Sequence, residues 1–444
     1  MSKIFDYILK HVEARPDHLA IHEICTARKI SYSELYADVI AHSKTIDPDL
    51  TQVHVINKPN GYELVLEMLA CTLVGKIFFC VNPFVTPEQT GLQLDFIKQV
   101  FYYKSDGYQI RMSSGTTDLA KFFYSTQQDR LDHARTISNR LKIAPTDSIL
   151  TLATPLNVGL GDSSIVRTLT SGATLLIGNS TEIYDNFVYI IQYKPSVIFS
   201  TSGVLSKVLL LEQCNSLLAK GTFKKLSPRV WDVGGGPLNV DHAYKMESLI
   251  EGAVIQHCNR ADTSEPHMCS IDDPQEKRIT TIGKPVGLKI DADGEILVEA
   301  KYVVERLGFG KPIQDGYYAT GDLAELDSQG YMRIIGRKKL LLTQGGHDIN
   351  PLEIERVAKR LPFIKEACCV GVKLPDMPTI EQPYLFLECH TFGETSGVLD
   401  NILSELNIKI AYCSVETELP LIKPGKVDRK KLTELAHVYI QNNK

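Results

Sequence analysis

Short apolar runs alternate with helix-patterned stretches through the first half of the chain, and this alternation limits the fold to few possibilities. Residues 52–57 read as a strand, 62–74 as a helix carrying Leu64, Leu66, Met68 and Leu69, and 76–81 as a second strand. Runs at 148–153, 173–177, 197–200 and 230–233 continue the pattern, each followed by a polar or helical stretch. Strands this short and apolar, separated by helices, predict an α/β architecture with parallel-rich sheets. From about Thr280 the texture changes. Asp293-Gly294 lies between runs at 289–291 and 295–298, and Gln329-Gly330 between runs at 323–326 and 332–335. Glycine pairs of this kind between apolar runs are hairpin signals, so a small antiparallel β subdomain is expected there. The rest reads as a helix over 351–360, strands over 367–372 and 384–389, and a helix over 397–406. That suffices for a small mobile α+β domain. The expected division is 1–336 and 337–444, with the tail from His437 frayed.

With 444 residues the chain has room for two to four folding units at roughly 100–200 residues each. It is 43% hydrophobic and 23% charged, the balance of an ordinary globular protein. Lys and Arg number 48 against 53 Asp and Glu, so the basic surplus typical of nucleic-acid binders is missing. No stretch approaches the roughly 18 apolar residues of a membrane span. Asp6 sits where a secretory leader would begin its apolar run, so no leader is expected. Ten cysteines include no Cys-x-x-Cys pair, which excludes a zinc knuckle or thioredoxin-like motif. Most lie in apolar runs, as Cys71 and Cys80 do, and predict free buried thiols in a cytoplasmic protein.

Four segments carry chemistry. In Ser113-Ser114-Gly115-Thr116-Thr117-Asp118-Leu119-Ala120-Lys121, hydroxyls and backbone N–H groups around a glycine can converge on phosphate oxygens, with a lysine close behind. The same composition also suits an ordinary turn before a strand. Thr320-Gly321-Asp322 places one acid in a turn. Gly336-Arg337-Lys338-Lys339 precedes Gly345-Gly346-His347-Asp348-Ile349-Asn350-Pro351-Leu352-Glu353-Ile354-Glu355. Pro424-Gly425-Lys426-Val427-Asp428-Arg429 could by itself be a solvated basic loop.

In order and spacing the set resembles the adenylate-forming superfamily of acyl-CoA synthetases, nonribosomal-peptide adenylation domains and luciferases. The resemblance runs over essentially the whole chain, with weaker matches at Ile30-Ser31-Tyr32-Ser33-Glu34-Leu35 and Gly234-Gly235-Gly236-Pro237-Leu238. It implies a two-step ligase. A carboxylate attacks the α-phosphorus of ATP, giving an acyl-adenylate and pyrophosphate. A thiol of coenzyme A, or of a carrier protein's phosphopantetheine, then displaces AMP. The resemblance assigns Ser113, Ser114, Gly115, Thr116, Thr117 and Lys121 to the β- and γ-phosphates. Asp322 is assigned to the ribose hydroxyls, Arg337 to ribose or phosphate, and Gly234, Gly235 and Gly236 to an adenine-facing wall. Lys426 becomes the catalytic cation and Lys339 the hinge. Asn157, Gly159 and Gly161, together with Gly234, Gly235 and Gly236, are expected to line the acyl pocket, where small residues imply room for an aryl or bulky acyl group.

The sequence departs from the family pattern near the nucleotide. Asp118 replaces a glycine and Ala120 a proline in the phosphate loop. The family's Tyr-Gly-x-Thr-Glu falls on Asn259-Arg260-Ala261-Asp262-Thr263, so Asp262 and Thr263 stand near the α-phosphate. The Mg2+ ligand is then Asp262 or Glu265, and both Asp118 and Asp262 bring negative charge towards the triphosphate. A non-catalytic relative that binds an acyl group or an acyl carrier protein is the alternative, since one fold hosts many outcomes. A specialised-metabolism ligase is the primary expectation.

Overall fold

The computed structural model describes residues 2–112, 121–157, 159–178, 182–219, 225–236, 238–258, 260–344, 347–361, 363–374, 377–389, 396–422 and 426–442. Two compact units result. The first comprises Met1–Leu288, Val298–Tyr318 and Leu326–Arg333; the second comprises Lys289–Leu297, Ala319–Glu325 and Ile334–Lys444.

The first unit is α/β, as the alternation predicts. An eight-stranded sheet has a parallel interior, in which Val230–Gly234 lies between Val197–Thr201 and Ala253–Cys258. Antiparallel edge strands, Arg28–Ser31 and His267–Met268, close its two sides. Side chains alternate across the sheet. Trp231 and Val233 therefore join one core cluster, and Val230 joins Phe199 and Ile255 in another. The expected helix at 62–74 is Tyr62–Val74, ended by Gly75 at φ 72, a left-handed position that suits glycine. Ser31 and Glu34 of the weaker match Ile30–Leu35 form a capping box that starts the helix Tyr32–Ser43.

A five-stranded sheet centres on Gly107–Met112, parallel to Phe78–Cys80 and antiparallel to Phe122–Thr126. Met112 pairs with Phe122, so the phosphate-loop segment 113–120 connects two adjacent antiparallel strands. The segment itself lies outside the described residues.

In the second unit, Ile364–Leu374 and Met377–Cys389 form a long antiparallel hairpin. The helix Ser396–Leu406 then leads to Tyr412–Glu416, which pairs parallel with Met377–Cys389. The expected frayed tail is corrected. A helix, Arg429–Asn442, places Leu432, Ala436 and Ile440 at four-residue spacing, and these pack with Cys368, Val370, Val372 and Phe386. The polar composition of 437–444 conceals this stripe because it needs only one apolar residue per turn. No helix among the described residues is long and apolar enough to cross a membrane.

Candidate active site

In the first unit, Gly234 ends its strand and Gly235 adopts φ 81. A Cβ on Gly234 would lie 2.4 Å from Nε2 of His257, and one on Gly161 would lie 2.0 Å from the carbonyl oxygen of Pro155. These glycines permit close packing instead of leaving space, which corrects the expectation of a roomy pocket at both positions. Gly159 differs. It opens the helix Gly159–Thr170 at φ 46, and a Cβ there would meet nothing among the described residues within 4 Å. Asn157 is buried, donates from Nδ2 to the carbonyl of Val81 at 2.6 Å, and leaves Oδ1 without a partner among the described residues.

Asp262 does not stand as an unbalanced charge. Arg260 donates from Nε to Oδ1 at 2.8 Å and from Nη2 to Oδ2 at 2.7 Å, while the Tyr318 hydroxyl donates to Oδ2 at 2.8 Å. Burial alone would raise the Asp262 pKa, but the Arg260 guanidinium outweighs it and holds the carboxyl below its usual range. The expected repulsion of the triphosphate by Asp262 is therefore corrected: this cation sits two residues away and neutralises it. Arg111 reaches the same loop. It donates from Nε to Ser125 Oγ at 2.6 Å and from Nη2 to the Ala261 carbonyl at 3.2 Å. Burial, with Arg130 nearby, brings its pKa down to about 10. Arg111 thus ties the root of the phosphate loop to segment 260–263, where Thr263 bridges to Val303. Asn259 lies outside the described residues.

Asp262, with both oxygens engaged, does not fit a magnesium ligand. Glu265, the other candidate, accepts from Thr136 Oγ1 at 3.5 Å, and burial raises its pKa. Among the described residues no group of three or more His, Cys, Asp or Glu side chains is placed to hold a metal.

His267, paired across the sheet with Cys258, is buried, and burial together with Arg260 lowers its pKa to about 4. Between pH 6.5 and 4 the unfolded chain takes up a proton that the folded chain refuses, so stability falls as pH falls through this window. The full loss is on the order of 3 kcal/mol. His267→Gln is expected to flatten the decline, read as urea unfolding at pH 7 and pH 4. Equal acid sensitivity in both proteins would show that His267 is not the group responsible.

In the second unit, strands through Glu295, Asp322 and Arg337 are neighbours in one sheet. Arg337 donates from Nε to Asp322 Oδ1 at 2.6 Å. Thr320 Oγ1 donates to the Ile296 carbonyl at 2.9 Å and accepts the Asp322 N–H at 3.1 Å. Gly321, at φ 75, donates its N–H to Glu295 at 2.8 Å. Thr320-Gly321-Asp322 and Arg337, remote in sequence, thus form one polar cluster with a buried acid and a half-exposed guanidinium. A cavity of about 360 Å³, lined by Asp293, Leu323, Lys338, Leu341, Thr343 and Asp348, meets this strand through Leu323. Alternation sends Leu323 to the face opposite Asp322, so this cavity is not taken as the nucleotide site.

Ser113, Ser114, Gly115, Thr116, Thr117 and Asp118 lie outside the described residues; Lys121, exposed, directly precedes the strand Phe122–Thr126. Lys339 lies in the short helix Lys338–Leu340, beside Lys338, which pairs with Glu295 at 3.0 Å. Lys426 is in a two-residue strand paired with Ile422, and its side chain lies outside the description. Sequence alone does not mark Arg111, Arg260 or Tyr318 as functional candidates; the structure brings them to the loop at Asp262. The Arg-x-Asp spacing at 260–262 was the one available signal for the ion pair.

No family model matches the chain. The 2-succinylbenzoate–CoA ligase of Staphylococcus epidermidis is 25% identical over 423 residues, covering 90% of this chain and 84% of the ligase. The o-succinylbenzoate CoA synthetase of Bacillus subtilis, solved with its acyl-adenylate intermediate, superposes with a TM-score of 0.79 at 20% identity, over 96% of this chain and 97% of that one. The anthranilate CoA ligase AuaEII with anthranoyl-AMP gives a TM-score of 0.83 at 16% identity, covering 98% of each chain. The architecture is that of the AMP-forming acyl-CoA ligases. The chain is thus similar to these ligases over nearly its whole length and shares their fold.

Proposed function

We propose that this protein activates a carboxylic acid with ATP as an acyl-adenylate and transfers the acyl group to coenzyme A. The observation that carries the reading is the closure of Arg337 on Asp322, in a fold shared with ligases solved around acyl-adenylates. Asp322 accepts the ribose hydroxyls and Arg337 holds ribose or phosphate. Ser113, Ser114, Gly115, Thr116, Thr117 and Lys121 take the β- and γ-phosphates. Gly234, Gly235 and Gly236 face adenine, Asp262 and Thr263 flank the α-phosphate, and Asn157 and Gly159 border the acyl group.

Lys426 offsets the charge that builds as the carboxylate attacks phosphorus. Magnesium bound to the triphosphate would offset its negative charge. Glu265 is the carboxylate that would meet it, since Arg260 already occupies Asp262. The relatives named above act on 2-succinylbenzoate and anthranilate, both aromatic acids, so an aromatic carboxylate is the substrate class proposed. The ten free cysteines suit a reducing cytoplasm. Pyrophosphate release with purified protein, ATP, Mg2+ and a panel of aromatic and aliphatic acids tests the reading. A second assay compares coenzyme A with a phosphopantetheinylated carrier protein as acceptor. No acid-dependent pyrophosphate across the panel would favour a non-catalytic binder.

The proposal includes 337–444 as a lid that turns about Lys339 between the half-reactions, because hinges concentrate rotation in a few terminal residues. Lys339→Pro fixes φ at this point. It is expected to slow thioester formation more than adenylation, measured as the two half-reactions separately. Equal slowing of both, in a folded protein, would remove Lys339 from the hinge.

A further inference from the structure

We propose that Glu355 and Arg429 form a positioning clamp for Lys426, acting on adenylation through the lysine and not by touching substrate. The inference rests on the Lys426 reading above. Glu355 lies on the helix Pro351–Ala358 and is buried. Arg429 donates from Nη2 to both its oxygens, at 2.6 and 2.8 Å, and from Nη1 to the Cys369 carbonyl at 2.8 Å. The Cys369 N–H donates back to Glu355 Oε1 at 2.8 Å. One carboxylate therefore joins a helix, the middle of a long strand and the first residue of the helix Arg429–Asn442.

Lys426 stands three residues before Arg429, and little slack separates them. Val427 pairs with Leu421, the Asp428 N–H donates to the Pro420 carbonyl at 2.7 Å, and Asp428 accepts the Lys431 N–H at 3.1 Å. The other end of the Glu355 helix is tied as well. Its cap, Asn350, accepts the Leu352 N–H at 3.1 Å and donates to the Ile335 carbonyl at 2.7 Å. A Cβ on Gly336 would come within 2.7 Å of that Asn350 amide, so glycine lets the cap sit against the strand. The helix is thus fastened next to Arg337 at one end and, through Glu355, to the strand–helix junction after Lys426 at the other.

Apolar packing by Leu432, Ala436 and Ile440 already secures the C-terminal helix. What the bidentate pair adds is a fixed origin for the lysine. A misplacement of about 1 Å in a reacting group can cost up to about a hundredfold in rate.

The test uses the full chain and whichever of 2-succinylbenzoate and anthranilate supports turnover. Glu355→Gln is expected to lower kcat for adenylation about ten- to a hundredfold, with KM for ATP within about twofold. Thioester formation from supplied acyl-adenylate and coenzyme A should remain at the parent rate. Arg429→Lys, which keeps the charge and loses the fork, should fall between parent and Glu355→Gln. In a Lys426→Ala background, Glu355→Gln should cost nothing more. Parental adenylation in Glu355→Gln overturns the clamp, as does a full additional loss in the Lys426→Ala background. Equal loss of both half-reactions with a lowered melting temperature assigns the pair to stability alone. Full activity of Lys426→Ala would remove the lysine from the mechanism and the clamp with it.

Discussion

If Lys426 plays the part proposed for it, Lys426→Ala is expected to lower acyl-adenylate formation by about a hundredfold or more, because one preorganised cation is then lost where charge develops in the transition state. In the ground state the carboxylate and the triphosphate remain separate anions. The need for positive charge is greatest as the carboxylate oxygen bonds to phosphorus and pyrophosphate begins to leave. A lysine serving that instant changes kcat far more than the affinity for ATP. The fold should survive, since the backbone pairing of Lys426 with Ile422 does not depend on its side chain. Pyrophosphate release under saturating ATP and acid measures the effect, and circular dichroism checks the fold. Adenylate formation at the parent rate would exclude Lys426 from this role.

Much of this site is legible in sequence because its parts are short, polar and glycine-marked. Thr320-Gly321-Asp322 and Arg337 can be recognised separately, and the sheet brings them to 2.6 Å. The helix Tyr62–Val74 and the turns closed by Asp291 N–H to the Glu295 carbonyl at 3.0 Å and Asp327 N–H to the Tyr331 carbonyl at 2.9 Å are legible for a similar reason: local periodicity and turn chemistry determine them. What stays hidden depends on partners remote in the chain. Asp262 reads as a repulsive charge until Arg260 and Tyr318 are seen closing on it. Gly161 and Gly234 read as open space until Pro155 and His257 are seen filling it. Glu355 reads as one acid of an amphipathic helix until Arg429, far along the chain, meets it. Composition gives the inventory of charges, but pairing is decided by topology.

The most severe loss of stability is expected from Asp232→Asn, in the interior of the first unit. Asp232 lies on the central strand Val230–Gly234 with no exposure, and its Oδ1 is 2.5 Å from Nδ1 of His257. Its Oδ2 is 3.5 Å from Nη1 of Arg167, which is equally buried and lies over the Phe199 ring at 3.2 Å. Nε and Nη2 of Arg167 have no partner among the described residues, so Asp232 is the counter-ion that makes this burial tolerable. The next carboxylate, Asp162, is already held by Arg130 at 2.8 Å. Asparagine keeps the shape and removes the charge, leaving a guanidinium uncompensated in an apolar interior. Breaking a buried pair in this way costs about 3–5 kcal/mol, whereas replacing both partners by apolar or neutral groups can be nearly free. Asp232→Asn combined with Arg167→Met should accordingly recover much of the loss. Urea unfolding of the three variants beside the parent provides the measurement. A single mutant within about 1 kcal/mol of the parent, or a double mutant worse than the single, would mean that Asp232 is not carrying the charge of Arg167.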